Sequence, residues 1–416
     1  MNTDPTALLS PRGREILARL AAVDAVDAVD AVQAPAPGSE LALATSLRRE
    51  YPAGLVAAAM AQRELRAAAA AKFSRAARML FTRGGYEQSS SELVARHRAA
   101  RFPAAGRVAD LCCGIGGDLI ALAAGREVLA VDRDEVHVRL AMHNAGVYGV
   151  AGQVAACVAD VRGIRFTGLG AVFIDPARRT DARGDGGGAG PGGRPGRGRF
   201  RAGVSEPPLD WCLALADHVP AVCVKAAPGL PAELIPAGWE AEFIADGRDL
   251  KEAVLWSPPL ATATAGPAGP RRATILPGGD TLVAEPGEPV GVGEPGEYLL
   301  DPNPAVTRAG LVEDLARRVD GWKIDPQIAF IAMNKDTRTP FARTLRVLDS
   351  APWNEKRFAR RLRELGVGAA DIRRRGLAGD VDQIRRRLRL AGPHRATVVI
   401  TRAEDRPWGL ICADPL

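Results

Sequence analysis

Val108-Ala109-Asp110-Leu111-Cys112-Cys113-Gly114-Ile115-Gly116-Gly117-Asp118 is the stretch on which the reading of this chain turns. A short apolar run, Val108 to Leu111, meets a glycine-rich turn, Gly114 to Gly117. An apolar, helix-like segment follows from Leu119 to Ala124, and a second apolar run, Glu127 to Val131, stops at Asp132. Strand, glycine turn, helix, strand, acid is the order of a nucleotide-binding half-sheet. The glycines let the backbone turn tightly and let a ligand approach the main chain without meeting a Cβ. The acid that ends the second run can accept hydrogen bonds from both hydroxyls of a ribose.

The spacing decides between ligands. A dinucleotide turn reads Gly-x-Gly-x-x-Gly and seats a pyrophosphate on the helix N-terminus. Here Gly114-x-Gly116-Gly117 runs into Asp118, whose charge would repel a pyrophosphate. Asp110, just before the turn, adds a second carboxylate. Two acids suit a ligand with an amino group and a positive sulfonium. The pattern resembles motif I of the class I S-adenosylmethionine-dependent methyltransferases.

The alternation continues outward. Val154 to Val158 is a further apolar run ending near Asp160, and Gly170 to Ile174 runs directly into Asp175-Pro176-Ala177-Arg178-Arg179. Pro220 to Val224 ends in Lys225, and Trp239 to Ile244 with Glu252 to Trp256 reads as a closing pair. Strands alternating with helical segments give a doubly wound, mostly parallel α/β sheet. Ligands of such sheets lie beyond the carboxyl ends of the strands. Asp110, Asp132, Asp160 and Asp175 fall at or near those ends. Each could also be a helix cap or turn residue.

Asp175-Pro176-Ala177-Arg178 stands where amino-methylating enzymes of this superfamily carry Asp/Asn-Pro-Pro followed by an aromatic residue. With Cys-Gly-Ile-Gly-Gly-Asp ahead of it, the chain resembles a bacterial family of methyltransferases with a THUMP-like C-terminal domain, distantly similar to trimethylguanosine synthases. The resemblance covers about Phe73 to the end. It implies a Rossmann-like class I methyltransferase sheet, with an N-terminal helical region and an α+β THUMP-like domain. It also implies S-adenosyl-L-methionine as cofactor. Gly114, Gly116 and Gly117 would shape the cofactor pocket, Asp110 and Asp118 would hold the ammonium end, Asp132 the ribose and Asp160 the adenine amino group. Asp175 with the Pro176 backbone would orient the accepting amine, and Arg178 would hold or stack the substrate in place of the aromatic. Arg178 and Arg179 could equally be surface ion-pair residues. Gln88 would approach the methionine part, although Ser89 to Ser91 also read as a simple helix cap. Lys225 reads more naturally as a snorkelling surface lysine than as a substrate contact.

Composition bounds the rest. The chain has 416 residues, 47 % of them hydrophobic, enough for more than one domain. No apolar run is long enough to cross a bilayer, and Met1 to Arg14 lacks a secretory signal's pattern. Six cysteines, none in a Cys-x-x-Cys pair, and five histidines without ligand spacing give no metal site. A reducing cytoplasm is the expected compartment. The net charge of +6 is modest, but basic residues crowd Arg178 to Arg201, Arg343 to Arg346, Lys356 to Arg363, Arg373 to Arg375 and Arg385 to Arg389. A basic stripe is the footprint of a polyanion such as RNA; solvated helix faces in an arginine-rich composition would look the same.

Four regions follow: a helical region over 1–101, with an Asp-Ala-Val repeat in Val23 to Val32 and an alanine-rich helix over Leu55 to Ala76; the methyltransferase domain over 102–258; a linker and connecting unit over 259–335, with a helix over Val306 to Val319; and the THUMP-like domain over 336–416. The glycine-rich run from Gly184 to Gly198 is flexible by composition, and reads either as a lid or polyanion-touching loop or as an insertion without a role. Three functions compete: an RNA N-methyltransferase, a methyltransferase of a protein or small molecule, and a non-catalytic RNA-binding protein that keeps the cofactor pocket. A dehydrogenase is more distant, because the third glycine is missing. Oligomeric state leaves no trace in the sequence.

Overall fold

The computed structural model describes residues 4–29, 39–104, 106–178, 205–263, 265–266, 269–377 and 380–413. The chain forms two compact units, Met1–Ala226 and Ala227–Leu416. Among the described residues no helix is long and apolar enough to cross a membrane.

In the first unit the apolar runs become β1 (Arg107–Leu111), β2 (Val128–Asp132), β3 (Val154–Val158), β4 (Leu169–Ile174) and β7 (Val222–Ala226). They pair in parallel in the order β7-β4-β1-β2-β3. β1, β2, β4 and β7 are buried almost residue by residue, as expected of parallel strands covered on both faces. β3, at the edge, is mostly exposed. The chain runs outward from β1 through β2 to β3, then crosses back to place β4 on the other side of β1. That reversal opens a crevice at the carboxyl ends of β1 and β4. α6 (Leu119–Leu122) follows the glycine turn. α7 (Glu135–Tyr148) starts where Asp134 accepts a hydrogen bond from the Val136 amide at 2.8 Å, and ends at Gly149 in the left-handed region, φ 77°. After β4, β5 (Ala177–Arg178) pairs with β6 (Ser205–Glu206), and α8 (Leu209–Ala214) leads to β7.

The N-terminal helices α1 (Pro11–Val29), α2 (Ser39–Leu47), α3 (Ala53–Ala69), α4 (Arg83–Gln88) and α5 (Glu92–Ala99) are built into this unit. α3 ends at Ala69, not Ala76, because Phe73 and Ala76 turn into the same apolar core as Val56 and Leu65. That core continues through Met79, Leu80 and Phe81 to Ile115 in the glycine turn and Leu140 on α7. Two buried amides clip the extended segment at Leu80 and Phe81. Gln62 on α3 exchanges a pair of hydrogen bonds with the Phe81 backbone, at 2.6 and 2.9 Å. Asn144 on α7 does the same with Leu80, at 2.9 and 3.0 Å, and also donates to the Ile115 carbonyl at 2.8 Å.

In the second unit, β8 (Glu240–Asp246) and β9 (Asp249–Trp256) form the expected pair, and it is antiparallel. Where the linker was expected, Pro258–Leu260 forms a 3-10 turn, and β10 (Ala265–Gly266) pairs with β11 (Gly269–Leu276). β11 lies parallel to β8 and carries β12 (Asp280–Val283). A second sheet contains β13 (Tyr298–Pro302), β14 (Trp322–Lys323), β15 (Ile331–Met333), β16 (Ala342–Pro352), β17 (Val367–Arg374), β18 (His394–Ala403) and β19 (Arg406–Ala413), ordered β14-β15-β13-β16-β19-β18-β17. The helix expected over Val306 to Val319 is two helices, α9 (Pro304–Ala309) and α10 (Val312–Arg318), because Gly310 closes the first at φ 75°. β18 shows why α11 (Glu355–Glu364) and α12 (Val381–Leu388) cover one sheet face. Val398 and Ile400 join the core of Phe358, Leu362 and Leu388, while Val399 faces Leu299, Phe330 and Leu345.

Asn144→Ala leaves the Leu80 amide and two carbonyls buried without partners. The unfolding free energy in urea should fall by about 2–4 kcal/mol; an unchanged midpoint would show that the clip does not hold the N-terminal helices.

Candidate active site at the carboxyl edge of the parallel sheet

The turn after β1 is tight. Cys112 is held at φ 61°, unusual for a residue with a Cβ. Gly116, at φ 85°, has no room for a side chain, since a Cβ there would lie 3.0 Å from the Ala141 Cα on α7. Gly117 faces the N-terminal segment, 3.2 Å from the Ser89 Cβ by the same construction, whereas Gly114 faces open space. Burial and nearby carboxylates push the Cys112 and Cys113 thiols up, so both are poor nucleophiles.

Asp132, ending β2, ties this turn to α7. Its Oδ2 accepts from the Gly114 amide and its Oδ1 from the Asp134 amide, each at 2.9 Å, and His137 Nδ1 lies 3.7 Å from Oδ1. Burial opposes ionisation of Asp132, but His137 and the two amides outweigh it and hold the carboxyl below its ordinary value. In return Asp132 raises the His137 imidazole against the effect of burial.

Asp110 is different. It is 1 % exposed, and neither carboxylate oxygen has a hydrogen-bond partner among the described residues. Burial, then the charges of Asp118, Asp175 and Asp132, push this carboxyl well above the usual range, with Arg98 opposing. An ammonium ligand would satisfy both the orphaned oxygens and the local excess of negative charge.

Asp118 does not share that openness. Arg98 from α5, 2 % exposed, pairs with its Oδ1 and stacks 5.0 Å from the Phe173 ring centroid, while Ser90 donates to Asp118 Oδ2 at 3.3 Å. The expectation that Asp118 grips a ligand ammonium therefore meets a carboxylate already engaged by protein. Asp160 sits after β3 with its side chain 55 % exposed, and caps the turn Val161–Gly163 through the Arg162 amide at 2.9 Å.

Asp175 follows β4, with its amide donating to the Leu111 carbonyl at 3.3 Å, and so stands beside the end of β1. Its Oδ2 accepts from Lys225 Nζ at 2.6 Å. The reading of Lys225 as a snorkelling surface residue is corrected: it is 7 % exposed and also donates to Ser90 Oγ at 3.0 Å. The signal was in the strand register, since Ile174 pairs with Val224 and their successors are Asp175 and Lys225. Sequence reasoning also missed Ser90 and Arg98. Ser91 is the actual cap of α5, accepting from the Val94 amide, which leaves Ser90 free to turn inward. Nothing distinguishes Arg98 among so many arginines. Pro176 is buried and Gln88 exposed. The side chain of Arg178, all of Arg179 and the glycine-rich run Gly184 to Gly198 lie outside the described residues.

Over 333 residues the chain is 39 % identical to a protein of Mycobacterium tuberculosis named an uncharacterised S-adenosylmethionine-dependent methyltransferase, covering 78 % of this chain and 84 % of that one. The same match recurs in a second strain. The chain belongs to the S-adenosylmethionine-dependent methyltransferases. Within this methyltransferase, residues 105–176 match a family model described as RNA cap guanine-N2 methyltransferase, residues 342–414 one described as THUMP domain-like, and residues 3–69 a domain of unknown function. A crystal structure from Porphyromonas gingivalis, provisionally named a methyltransferase, shares the fold at a TM-score of 0.70 and 19 % identity, covering 87 % of this chain and 91 % of that one. The enzyme uses S-adenosylmethionine.

The His137–Asp132 pair sets a pH dependence. An imidazole whose folded pKa is raised contributes stability that is complete below the unfolded value of about 6.5 and fades as pH climbs through the raised value. The melting temperature lost in His137→Gln should therefore be largest near about pH 5, where the carboxylate is also ionised, and shrink at alkaline pH. A loss independent of pH would dismiss the pair. Gly116→Ala, forced to positive φ against Ala141, should lose about 1–3 kcal/mol in urea titrations and bind S-adenosylmethionine at least about tenfold more weakly by calorimetry.

Proposed function

We propose that this methyltransferase transfers its methyl group to an exocyclic amine of an RNA base. The observation that carries the reading is the pair of acids at the switch point: Asp110, buried with neither oxygen partnered among the described residues, and Asp175, one oxygen anchored and its side chain 29 % exposed. The matches of 105–176 and 342–414 to an RNA methyltransferase model and a THUMP-like model support RNA as the substrate class. So do α11 and α12, whose apolar sides are buried while Lys356, Arg360, Arg363, Arg385, Arg386 and Arg387 are exposed. Phosphate contacts from such helices are indifferent to sequence and weaken with salt. Some of that charge is offset locally, as in the Arg360–Glu364 and Arg385–Asp382 pairs. All six cysteines are free thiols, which suits a reducing cytoplasm.

S-adenosylmethionine, when bound, supplies a methyl group already activated on a sulfonium. The chain's own residues have to align the acceptor and keep water out. In this reading Asp110 takes the ammonium end, the open face of Gly114 lets the ligand approach the backbone, and Asp132 receives the ribose hydroxyls while holding the turn. Asp160, beyond β3, would reach the adenine amino group. Ser89 and Ser90, packed against Gly117, cover the turn from water. Asp175 would accept a hydrogen bond from the acceptor amine, with the Pro176 carbonyl as a second acceptor, and the two would orient the nitrogen for methylation. Arg178 would hold the base or its phosphate.

The experiment is tritiated methyl transfer into total RNA, beside calorimetry of S-adenosylmethionine. Label should enter RNA and disappear in Asp175→Ala with cofactor binding intact, while Asp110→Asn should weaken cofactor binding at least about tenfold. Label in protein alone would overturn the substrate class, and full binding by Asp110→Asn would overturn the cofactor pose.

A further inference from the structure

A continuous polar chain crosses the first unit beneath the candidate site. Asp118 is paired to Arg98, whose guanidinium donates to Ser90 Oγ at 2.9 Å. Ser90 donates its single proton toward Asp118 at 3.3 Å and accepts from Lys225 Nζ at 3.0 Å, and Lys225 in turn donates to Asp175 Oδ2 at 2.6 Å. A hydroxyl offers one donor and two acceptor positions, and here all three are used. Two cations, Arg98 and Lys225, face two carboxylates, Asp118 and Asp175, across it, so charges within this chain are matched. Ser90, Arg98 and Lys225 are 7 %, 2 % and 7 % exposed, so none of the three is a flexible surface side chain.

Burying an ammonium and holding it from two sides is costly, and methyl transfer needs no lysine. What the arrangement achieves is geometric. A partly exposed aspartate at a strand end would otherwise move among staggered rotamers. The Lys225 ammonium holds Oδ2 on its Ser90 side, which fixes the plane of the carboxylate and leaves Oδ1 as the oxygen that can face an acceptor. The chain also has Ala177-Arg178 in place of an aromatic residue that would stack a base, so orientation falls more heavily on hydrogen bonds at Asp175.

We propose that Lys225, anchored by Ser90, is a positioning residue for methyl transfer: it pins Asp175 so that one defined oxygen receives the acceptor N–H. The proposal rests on the role given to Asp175 above. It assigns Lys225 no contact with the cofactor and no part in proton transfer. A misplacement of about 1 Å in such an acceptor costs on the order of a hundredfold in rate.

The test uses the full chain with Lys225→Met, Lys225→Arg, Asp175→Asn and the double variant Lys225→Met/Asp175→Asn. Lys225→Met should lower kcat by about tenfold to a hundredfold, with KM for RNA changed less and the calorimetric Kd for S-adenosylmethionine within about threefold of the parent. Lys225→Arg should recover most of the rate. In the Asp175→Asn background Lys225→Met should cost less than about twofold, because the group it positions is already altered. A crystal structure of Lys225→Met, which needs no substrate, should show the Asp175 carboxylate turned away from its position in the parent. Equal rate losses from Lys225→Met in both backgrounds, or an unmoved carboxylate, would overturn the proposal while leaving the Asp175 reading in place. Full activity of Asp175→Ala, which leaves no side-chain oxygen to accept the N–H, would overturn both.

Discussion

A carboxylate sealed from water, with neither oxygen hydrogen-bonded, is among the more expensive features a fold can keep. Desolvation costs several kcal/mol, and a group in that position otherwise protonates. Among the described residues Asp110 finds no partner and is kept in that condition at the end of β1, with three further acids close enough to raise its proton affinity. The surrounding elements make sense as consequences. The reversal of strand order between β2 and β4 creates the crevice. The left-handed Cys112 and Gly116 bend the chain sharply over it. The engagement of Asp118 by Arg98 leaves Asp110 as the acid still seeking a cation.

The same edge of the sheet separates two kinds of acid. Asp110 lies in β1 just before the glycine turn and Asp132 ends β2 and is hydrogen-bonded to that turn, and in the proposed reading both serve the cofactor. Asp175 belongs to the next strand and is wired to Lys225 and, through Ser90, to the loop that caps the turn. The glycine turn and the end of β4 are therefore joined by one hydrogen-bonded path through the buried groups Asp118, Arg98, Ser90 and Lys225 to the partly exposed Asp175. A change at either end is felt along that path through geometry, because every donor and acceptor position of the Ser90 hydroxyl is already taken.

The sheet was legible because parallel strands covered on both faces are apolar nearly throughout, as Val128 to Val131 and Leu169 to Ile174 are, and Val108 to Leu111 departs from that only at Asp110. Acids after such runs could be placed at one edge for the same reason. What escaped was whatever depends on partners distant in sequence. A lysine closing an apolar strand looks solvent-bound until the register sets it beside Asp175. Ser90 was hidden by its neighbours, since a serine triplet before a helix reads as a cap and only Ser91 serves as one. Asp118 was legible as an acid in the turn, but its consumption by Arg98 depends on a helix some twenty residues upstream. The break at Gly310 was written in the sequence, and the apolar periodicity on either side of it obscured the stop.

The amide clips of Gln62 and Asn144 bear on how this protein can change over generations. They sew the segment matched by the domain of unknown function to the glycine turn, through one apolar core that runs from Leu8 to Val147. Neither half presents a finished surface to solvent without the other. Replacing the helical part alone would therefore uncover that shared core and leave the Phe81 backbone groups short of their amide partner, Gln62.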